Sequence, residues 1–298
     1  MRHRAWFGIA LLALGVVARG QQPDFSKTEM KTTHVAGNVY LLQGEGGNIG
    51  VSAGPDGVLI VDDEFAPLAE KIQAAMTAIN PGKLKFVINT HFHGDHTGSN
   101  PYFGRQAPII AQANVRIRLG AGKDDKREGL PVVTFNDTLS VHFNGEEIKL
   151  LHVPHGHTDS DSLIFFTKSN VVHMGDDFFA GRFPFVDLES GGSVQGMTAG
   201  VEKVLAQIPA DAKVIPGHGP LSDVNGLKAY HHMLVATTAI VQKQIKAKKT
   251  LAQIQAEGLP AEWKEWGSGF IDTKTWIETI YNSLTKKMPD HPVNTTHH

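Results

Sequence analysis

One stretch of the 298-residue chain determines the fold and chemistry that the sequence predicts: Phe86-Val87-Ile88-Asn89-Thr90-His91-Phe92-His93-Gly94-Asp95-His96-Thr97-Gly98. Its first three residues are apolar and predict a buried strand. Three histidines and an aspartate follow at the end of that strand, and sites in α/β proteins gather at the carboxyl ends of strands. This position favours a functional cluster over a polar loop that is rich in histidine by chance.

The spacing of these residues suits a metal site. His91 and His93 are two positions apart, so their side chains point the same way in an extended segment. A turn at Gly94 can direct Asp95 and His96 toward a second position nearby. Imidazole nitrogen and carboxylate oxygen are the ligands that zinc takes when thiolate is absent, and the chain contains no cysteine.

Three later segments place histidine or aspartate next to glycine, each just after a predicted strand. They are Val153-Pro154-His155-Gly156-His157-Thr158, Met174-Gly175-Asp176-Asp177 and Pro216-Gly217-His218-Gly219-Pro220. Because sites gather at strand ends, we expect these segments to supply the remaining ligands.

Short apolar and β-branched segments predict strands in two groups, each followed by helices. The first group covers residues 39–42, 49–52, 58–61 and 86–88, with a helix over 65–79. The second covers 139–143, 148–153, 163–166, 171–174 and 213–215, with a hairpin turn at Asn144-Gly145 and helices over 194–208, 225–248 and 273–284. Two β-rich halves with outer helices predict an α/β fold of two packed sheets covered on both sides. No linker is evident, so residues 21–288 are interpreted as one domain with a C-terminal helical extension.

The composition narrows the class of protein. Hydrophobic residues make up 41% of the chain and charged residues 19%, which suits a folded core and argues against general disorder. The 28 basic and 30 acidic residues give a net charge of -2, so no broad field attracts nucleic acid or an anionic membrane. The absence of cysteine excludes disulfides and thiolate ligands.

The N-terminus has the pattern of a secretory signal. Arg2, His3 and Arg4 precede an almost entirely apolar run over residues 5–18, and Ala18-Arg19-Gly20 suits cleavage after Gly20. A transmembrane anchor is the alternative, but the run is shorter than the ~20 residues that a bilayer needs. We therefore expect residues 1–20 to be a cleaved signal peptide and the mature protein to start at Gln21 in the periplasm or medium. Residues 289–298 are predicted to be a polar, frayed tail.

The complete motif set resembles the metal signature of the metallo-β-lactamase superfamily over about residues 34–225: His91-x-His93-x-Asp95-His96, Gly156-His157-Thr158, Gly175-Asp176 and Gly217-His218-Gly219. The resemblance implies a four-layer αββα sandwich that holds two zinc ions per chain. It assigns one ion to His91, His93 and His157, the other to Asp95, His96 and His218, and the bridge between them to Asp176. Asp95 is also the expected catalytic residue, since it is placed to orient the nucleophile or accept a proton.

The bridging residue sorts the branches of that family. The best-known β-lactamases have cysteine at the position of Asp176, whereas an aspartate bridge resembles glyoxalase-II-type thioesterases, lactonases, tRNA-processing nucleases and many secreted bacterial hydrolases. The C-terminal helical part and the segment Gly191-Gly192-Ser193 look most like the last group. Asp62, with Asp63 as its competitor, resembles the family position that orients the histidine loop through hydrogen bonds.

The resemblance predicts a hydrolase for a small-molecule substrate. The near-neutral charge and the export signal argue against a nucleic-acid partner, and the short apolar run argues against a stable membrane anchor. Two metal ions about 3.5–4 Å apart can share a water and lower its pKa, which gives a hydroxide that attacks a carbonyl centre. The expected substrates are lactones, thioesters, esters or β-lactams. The alternatives are a β-lactamase proper, an iron-dependent sulfur dioxygenase of the same superfamily, a phosphodiesterase or nuclease, and a binding protein without catalysis.

Substrate selection is predicted from two segments that follow the strands. Residues 45–48 and the aromatic stretch 178–185 are the expected pocket walls, and the phenylalanines there favour an apolar acyl or ring group. Arg182 either receives a substrate carboxylate or faces water. His155 is a candidate for supporting a ligand from beside it, whereas His152 and His173 are expected to be packed or hydrogen-bonded within strands.

Overall fold

A seven-stranded sheet builds the N-terminal half of the protein. The computed structural model describes residues 24–121 and 127–286. The strands of this sheet lie in chain order, β1 to β4 antiparallel and β4 to β7 parallel. They are β1 (Lys31–Ala36), β2 (Val39–Gln43), β3 (Ile49–Gly54), β4 (Gly57–Val61), β5 (Leu84–Ile88), β6 (Ile109–Gln112) and β7 (Val133–Phe135).

A six-stranded sheet builds the second half, in the order β13-β12-β11-β10-β9-β8. Its strands are β8 (Thr138–Phe143), β9 (Glu146–Val153), β10 (Asp161–Phe166), β11 (Val171–His173), β12 (Lys213–Ile215) and β13 (Ser222–Asp223). Asn144 and Gly145 both have positive φ, 52° and 77°, in the tight turn that joins β8 to β9. The predicted hairpin is therefore present, because these two residue types tolerate that conformation.

Helices flank the sheets or lie in the loops that join their strands. They are α1 (Ala69–Ile79), α2 (Gly94–Thr97), α3 (Asn100–Phe103), α4 (Ala113–Gly120), α5 (Val194–Leu205), α6 (Val224–Lys246), α7 (Leu251–Glu257) and α8 (Thr273–Thr285). None of the helices in residues 24–121 and 127–286 is both long and apolar enough to span a membrane.

The alternation of side chains along β4 explains the four layers. Val58 and Ile60 face one apolar cluster, together with residues of α1. Leu59 and Val61 face a second cluster, which lies between the two sheets. A third cluster covers the other face of the second sheet with α5, α6 and α8. Successive residues of a strand point to opposite faces, so β4 is buried on both sides and the predicted αββα sandwich is confirmed.

Several elements differ from the sequence expectation. The helix expected over 65–79 starts with a 3₁₀ turn, Ala66–Leu68, and is α-helical only from Ala69. The helix expected over 225–248 begins one residue earlier, where the Asp223 side chain accepts hydrogen bonds from the first free backbone amides. Strands β1, β6, β7 and β13 and helices α2, α3, α4 and α7 were not anticipated. The expected signal peptide and polar tail lie outside the described residues.

Candidate metal centre

The loops that follow strands β5, β9, β11 and β12 meet at one edge of the sandwich. Each of them carries part of the predicted ligand set, so all seven residues come together. Their ligand atoms form two groups, within each of which all atoms lie within 4.8 Å of one another: His91, His93, His157 and Asp176 in one, and Asp95, His96 and His218 in the other.

The first group centres on three imidazoles and one carboxylate oxygen. His157 Nε2 lies 2.8 Å from His93 Nδ1 and 3.5 Å from Asp176 Oδ2. His91 Nε2 lies 3.9 Å from the same Oδ2 atom. Three nitrogens and one oxygen therefore converge on one point.

The second group uses the other oxygen of the same aspartate. Asp176 Oδ1 lies 3.1 Å from His96 Nε2 and 3.4 Å from His218 Nε2. Asp95 Oδ2 lies 3.3 Å from His218 Nε2. Each oxygen of Asp176 thus faces a different group, an arrangement that suits a carboxylate bridging two ions.

A buried aspartate at the end of β4 orients the histidine loop. Asp62 accepts hydrogen bonds from Thr90 N at 2.7 Å, from Thr90 Oγ1 at 2.7 Å and from His96 Nδ1 at 2.8 Å. The neighbouring Asp63 instead accepts a hydrogen bond from Ser99 N. Of the two carboxylates, that of Asp62 therefore orients the histidine loop, whereas Asp63 contacts the loop through its backbone amide, which donates to the carbonyl of His96 at 2.9 Å. The bond from Asp62 leaves His96 Nε2 free to face the centre.

The other histidines have similar supports. Thr90 Oγ1 accepts a hydrogen bond from His91 Nδ1 at 3.0 Å, and the carbonyl of Phe185 accepts one from His157 Nδ1 at 2.8 Å. These bonds leave Nε2 of each ring free. In His93 the roles are reversed, because Nε2 donates to Asp187 Oδ2 at 3.1 Å and leaves Nδ1 for the centre. Such outer partners fix the tautomer and orientation of a ligating histidine.

Asp187 is a site residue that sequence reasoning missed. Its backbone amide also donates to the carbonyl of His157 at 2.9 Å, so it contacts two members of the first group. Burial alone would raise the pKa of Asp187, but hydrogen bonds from His93 and Ser190 outweigh it and hold that pKa below its ordinary value. It lies two residues after the aromatic stretch and has no glycine beside it. Asp187 therefore does not resemble the glycine-flanked ligand motifs.

Electrostatics divides four of the predicted ligand histidines into two kinds in the absence of a cation. Burial lowers the pKa of His91 well below its ordinary value and that of His157 to about 4, so both rings are neutral. Burial opposes protonation of His96 and His218 as well, but Asp176 and the other carboxylates outweigh it. They raise the pKa of His96 well above its ordinary value and that of His218 to about 9. Those two rings are therefore protonated to the positively charged imidazolium form at neutral pH.

The described residues fit a metal cofactor. His91 Nε2 and Asp176 Oδ1 are buried without a hydrogen-bond partner among residues 24–121 and 127–286; the 3.1 Å contact of Oδ1 with His96 Nε2 is close but poorly aligned. An orphaned buried polar atom costs about 1–3 kcal/mol. A cation in the first group would bind His91 Nε2, and a cation in the second would bind Asp176 Oδ1. Nitrogen and oxygen donors without sulfur suit zinc and its neighbours in the transition series.

A cavity of about 520 Å³ opens above the two groups. Its floor includes His93, Asp95, Asp176 and His218, and its walls are largely aromatic: Phe65, Phe179, Phe183, Phe185, Phe270 and Ile271, with Arg182 among them. Arg182 therefore lies at the pocket, with its side chain partly exposed. Its guanidinium has no ion-pair or hydrogen-bond partner within residues 24–121 and 127–286.

The second predicted wall, residues 45–48, supports the ligands from behind and does not line this cavity. Gly47 N donates to the carbonyl of Asp95 at 3.0 Å, and Asn48 N donates to the carbonyl of Gly217 at 2.7 Å. A Cβ added to Gly47 would lie 2.1 Å from the His96 ring, so only glycine allows this approach. The loop is held by the buried Glu64 carboxylate, which accepts hydrogen bonds from the amides of residues 45 and 46.

The remaining histidines have structural partners. His155 Nδ1 donates to the carbonyl of Gly191 at 2.8 Å, so it braces the glycine-rich segment without contacting a ligand side chain. A Cβ on Gly192 would lie 2.1 Å from the His157 carbonyl, which explains the need for glycine there. His173 Nε2 donates to the carbonyl of Asn48 at 3.0 Å, and His152 Nδ1 donates to the carbonyl of Asp161 at 2.9 Å.

Comparison with known proteins agrees with this geometry. The sequence model of the metallo-beta-lactamase superfamily matches residues 32–218. A hydroxyacylglutathione hydrolase of Nitrosococcus oceani is 33% identical over 156 residues, which are 51% of this chain and 55% of that protein. A metallo-beta-lactamase type 2 of Bacteroides fragilis is 23% identical over 209 residues, 64% of this chain and 77% of that protein. The chain thus spans little more than half the length of the hydroxyacylglutathione hydrolase.

Solved structures extend the comparison to the fold. A metallo-beta-lactamase from Pontibacter korlensis superposes with a TM-score of 0.60 at 17% identity, covering 69% of this chain and 99% of that one. The family match, the αββα layers and the convergent histidines and aspartates lead to one conclusion. The chain belongs to the metallo-beta-lactamase superfamily.

Proposed function

We propose that the protein is a dinuclear zinc hydrolase that cleaves a carbonyl substrate such as a lactone, thioester, ester or β-lactam. The observation that carries the proposal is the division of the Asp176 oxygens between the two ligand groups, at 3.5 Å from His157 Nε2 and 3.1 Å from His96 Nε2. Two complete donor sets sharing one carboxylate suit a pair of ions better than one. Relatives named hydrolases support a metal-dependent hydrolase.

His91, His93 and His157 would hold one ion, Asp95, His96 and His218 the other, and Asp176 both. When bound, such a pair supplies an activated water and a Lewis acid for the substrate carbonyl. The chain has no cysteine, and its Gly-x-Ser-x-Gly segment, Gly50-Val51-Ser52-Ala53-Gly54, lies within strand β3 rather than at a strand-to-helix turn. Ser52 is fully buried there and accepts a hydrogen bond from Asn144 Nδ2, so it is not placed to act as a nucleophile. The nucleophile is therefore water, and the residues of the site act by holding and orienting it.

Asp95 is the residue best placed for that role. It lies on the cavity floor. Burial alone would raise the pKa of Asp95, but a hydrogen bond from His218 and the charge of His96 outweigh it and lower that pKa. The carboxylate is therefore ionised at neutral pH. An ionised carboxylate accepts a hydrogen bond from the attacking water and thereby fixes the direction of the lone pair of that water. Such orientation of the nucleophile contributes a large part of the rate enhancement when the geometry is right.

The cavity favours substrates that carry an apolar acyl group over highly charged ones. Its walls carry five phenylalanine side chains, which bind apolar groups by desolvation. The cavity lining contains a single arginine and no lysine, and the net charge is -2. A polyanionic nucleic acid is therefore a poor fit, and we propose a small acyl compound as the substrate.

Export completes the proposal. The basic start, the apolar run over residues 5–18 and the small residues near Gly20 support a cleaved signal peptide and a periplasmic or secreted enzyme.

Metal analysis combined with a hydrolysis panel tests the function. We expect close to two zinc ions per chain and turnover of at least one class among a cephalosporin, an acyl-homoserine lactone, a thioester and an aryl ester, lost on treatment with a strong chelator. One tightly bound iron with thiol-dependent oxygen consumption would identify a sulfur dioxygenase instead. Turnover of phosphodiesters alone would favour the nuclease alternative.

A further inference from the structure

A loop from the C-terminal helical extension completes the wall of the cavity. The superfamily match ends at residue 218, yet Phe270 and Ile271, between the 3₁₀ turn Glu265–Ser268 and α8, line the cavity. The carbonyl of Trp266 accepts a hydrogen bond from Phe183 N at 2.8 Å. The extension is thus attached directly to the aromatic stretch that walls the site, and its loop belongs to the pocket.

The two apolar residues of this loop have opposite environments. Ile271 is 5% exposed and anchors the loop in the core, whereas Phe270 is 90% exposed. Phe185, on the same cavity, is 42% exposed. Exposed aromatic side chains at a cavity mouth are surface that a bound ligand can cover, and covering them is favourable. An apolar group of the substrate that extends outward from the reacting carbonyl would gain this contact.

The positively charged residue of the pocket wall, Arg182, lies beside the same loop. A Cβ added to Gly269 would lie 3.3 Å from both Cβ and Cδ of Arg182, so the loop backbone packs against the aliphatic part of that side chain. Within residues 24–121 and 127–286 no carboxylate pairs with Arg182. A guanidinium in apolar surroundings binds a carboxylate through two parallel hydrogen bonds and strongly prefers it to a neutral group.

We propose that Phe270 and Arg182 are specificity-determining residues for acyl compounds whose reacting carbonyl is separated by an aryl-sized apolar group from an anionic group. This inference rests on the proposed function for the position of the carbonyl. The metal ligands hold the reacting end at the cavity floor, the aromatic walls hold the spacer, and Arg182 beside the outer loop holds the anion.

Four S-ethyl thioesters separate these contributions: those of acetic, phenylacetic, adipic and 4-carboxyphenylacetic acid. Released thiol is measured with a chromogenic thiol reagent, which has no target in a chain without cysteine. The variants are Phe270→Ala, Arg182→Met and the charge-retaining Arg182→Lys. Ile117→Ala is the matched control, because Ile117 is 62% exposed on α4 and does not line the cavity. Melting temperatures report on folding.

The wild-type protein should hydrolyse the 4-carboxyphenylacetyl thioester with the highest kcat/KM. Phe270→Ala should lower the aryl-to-acetyl ratio of kcat/KM about fivefold, mainly through KM, since partial burial of an aromatic ring is worth a fraction of its full transfer energy. Arg182→Met should lower the ratio of anionic to neutral probes about tenfold, and Arg182→Lys by less. Ile117→Ala should change neither ratio.

Binding of the product 4-carboxyphenylacetate, measured by calorimetry on all five proteins, distinguishes the two proposals. Turnover of all four thioesters without preference, or equal ratios in Phe270→Ala and Ile117→Ala, would overturn the pocket inference and leave the hydrolase standing. Product binding that weakens in Phe270→Ala and Arg182→Met, with no turnover of any thioester or other carbonyl probe, would support the pocket inference and overturn the hydrolase.

Discussion

Asp62 and His96 share a 2.8 Å hydrogen bond between carboxylate Oδ2 and imidazole Nδ1, and both side chains are fully buried. The same carboxylate accepts two hydrogen bonds from Thr90, whose hydroxyl in turn contacts His91 Nδ1. One aspartate on the first sheet therefore sets the orientation of one histidine from each ligand group. The metal site depends on this residue although it is outside the ligand set.

Replacement of Asp62 should weaken metal binding more than it disturbs the fold. We expect Asp62→Asn to lower zinc affinity about 10–100-fold, as for other carboxylates that hold ligating histidines, measured by competition with a chromogenic chelator. Asp63→Asn is the matched control, since Asp63 is equally buried but contacts Ser99. Similar affinities for the wild-type and Asp62→Asn proteins would contradict an orienting role.

Removal of the bridge should affect both ions. Asp176→Ala should lower metal occupancy and turnover together, because its two oxygens serve both groups. Asp177→Asn should do much less, although Asp177 Oδ1 accepts a hydrogen bond from His157 N at 3.3 Å. Metal content by atomic emission and steady-state kinetics on the same samples compare the two variants. A larger loss of metal and turnover in Asp177→Asn than in Asp176→Ala would assign the bridging role to Asp177.

The stability of the metal-free protein should fall as the pH rises from about 6.5 to 9. Neighbouring carboxylates outweigh burial and raise the pKa of His218 from its ordinary 6.5 to about 9. The folded state therefore binds a proton that the unfolded state releases, and the resulting stabilisation is present below pH 6.5 and lost as the pH passes 9. Burial also raises the pKa of Asp161, from 3.8 to about 8. Because this carboxyl ionises less readily in the folded state than in the unfolded state, the free energy of unfolding falls as the pH rises from about 4 to 8.

Urea unfolding at a series of pH values checks this prediction. Zinc binding requires a deprotonated His218, so the part of the slope that belongs to this residue should disappear in the zinc-loaded protein. His218→Gln should flatten the same part in the metal-free protein, whereas Asp161→Asn should flatten the part at lower pH. A metal-free stability that is constant or rises between pH 6.5 and 9 would contradict the assignment.

The sequence predicted the ligand-bearing loops well because glycine-flanked histidine and aspartate follow strands with clear apolar patterns. It did not predict β6 or β7, which have only four and three residues and too little alternation to be recognised. Asp187 and Phe270 were missed for a different reason. Asp187 contacts His93, which lies 94 positions earlier in the chain, and Phe270 reaches the cavity from beyond the last predicted ligand. Such tertiary proximity has no periodicity that a single sequence can display.

The proposed export predicts a defined mature N-terminus. We expect N-terminal sequencing of protein from the periplasm or medium to begin at Gln21, because the small residues Ala18 and Gly20 fit the cleavage preference of signal peptidases. An intact Met1 in exported material would refute cleavage.

The last prediction ranks β-lactams below another carbonyl substrate. Some β-lactam hydrolysis is expected, because a site that activates water beside a Lewis acid attacks any strained amide that reaches it. Efficient turnover, however, needs binding energy that is realised in the transition state. In a cephalosporin the carboxylate lies next to the reacting amide nitrogen, so it needs a cation close to the cavity floor.

The cavity has few groups that could bind the carboxylate of a cephalosporin. Its lining contains no lysine or asparagine, and its arginine, Arg182, packs against Gly269 on the outer loop. We therefore expect a lower kcat/KM for a cephalosporin than for the best thioester or lactone, measured on one zinc-loaded preparation. Arg182→Met should affect the cephalosporin less than the 4-carboxyphenylacetyl thioester. A hundredfold lead for the cephalosporin, about 2.7 kcal/mol of transition-state preference, would reverse the ranking and make β-lactams the substrate class of this site.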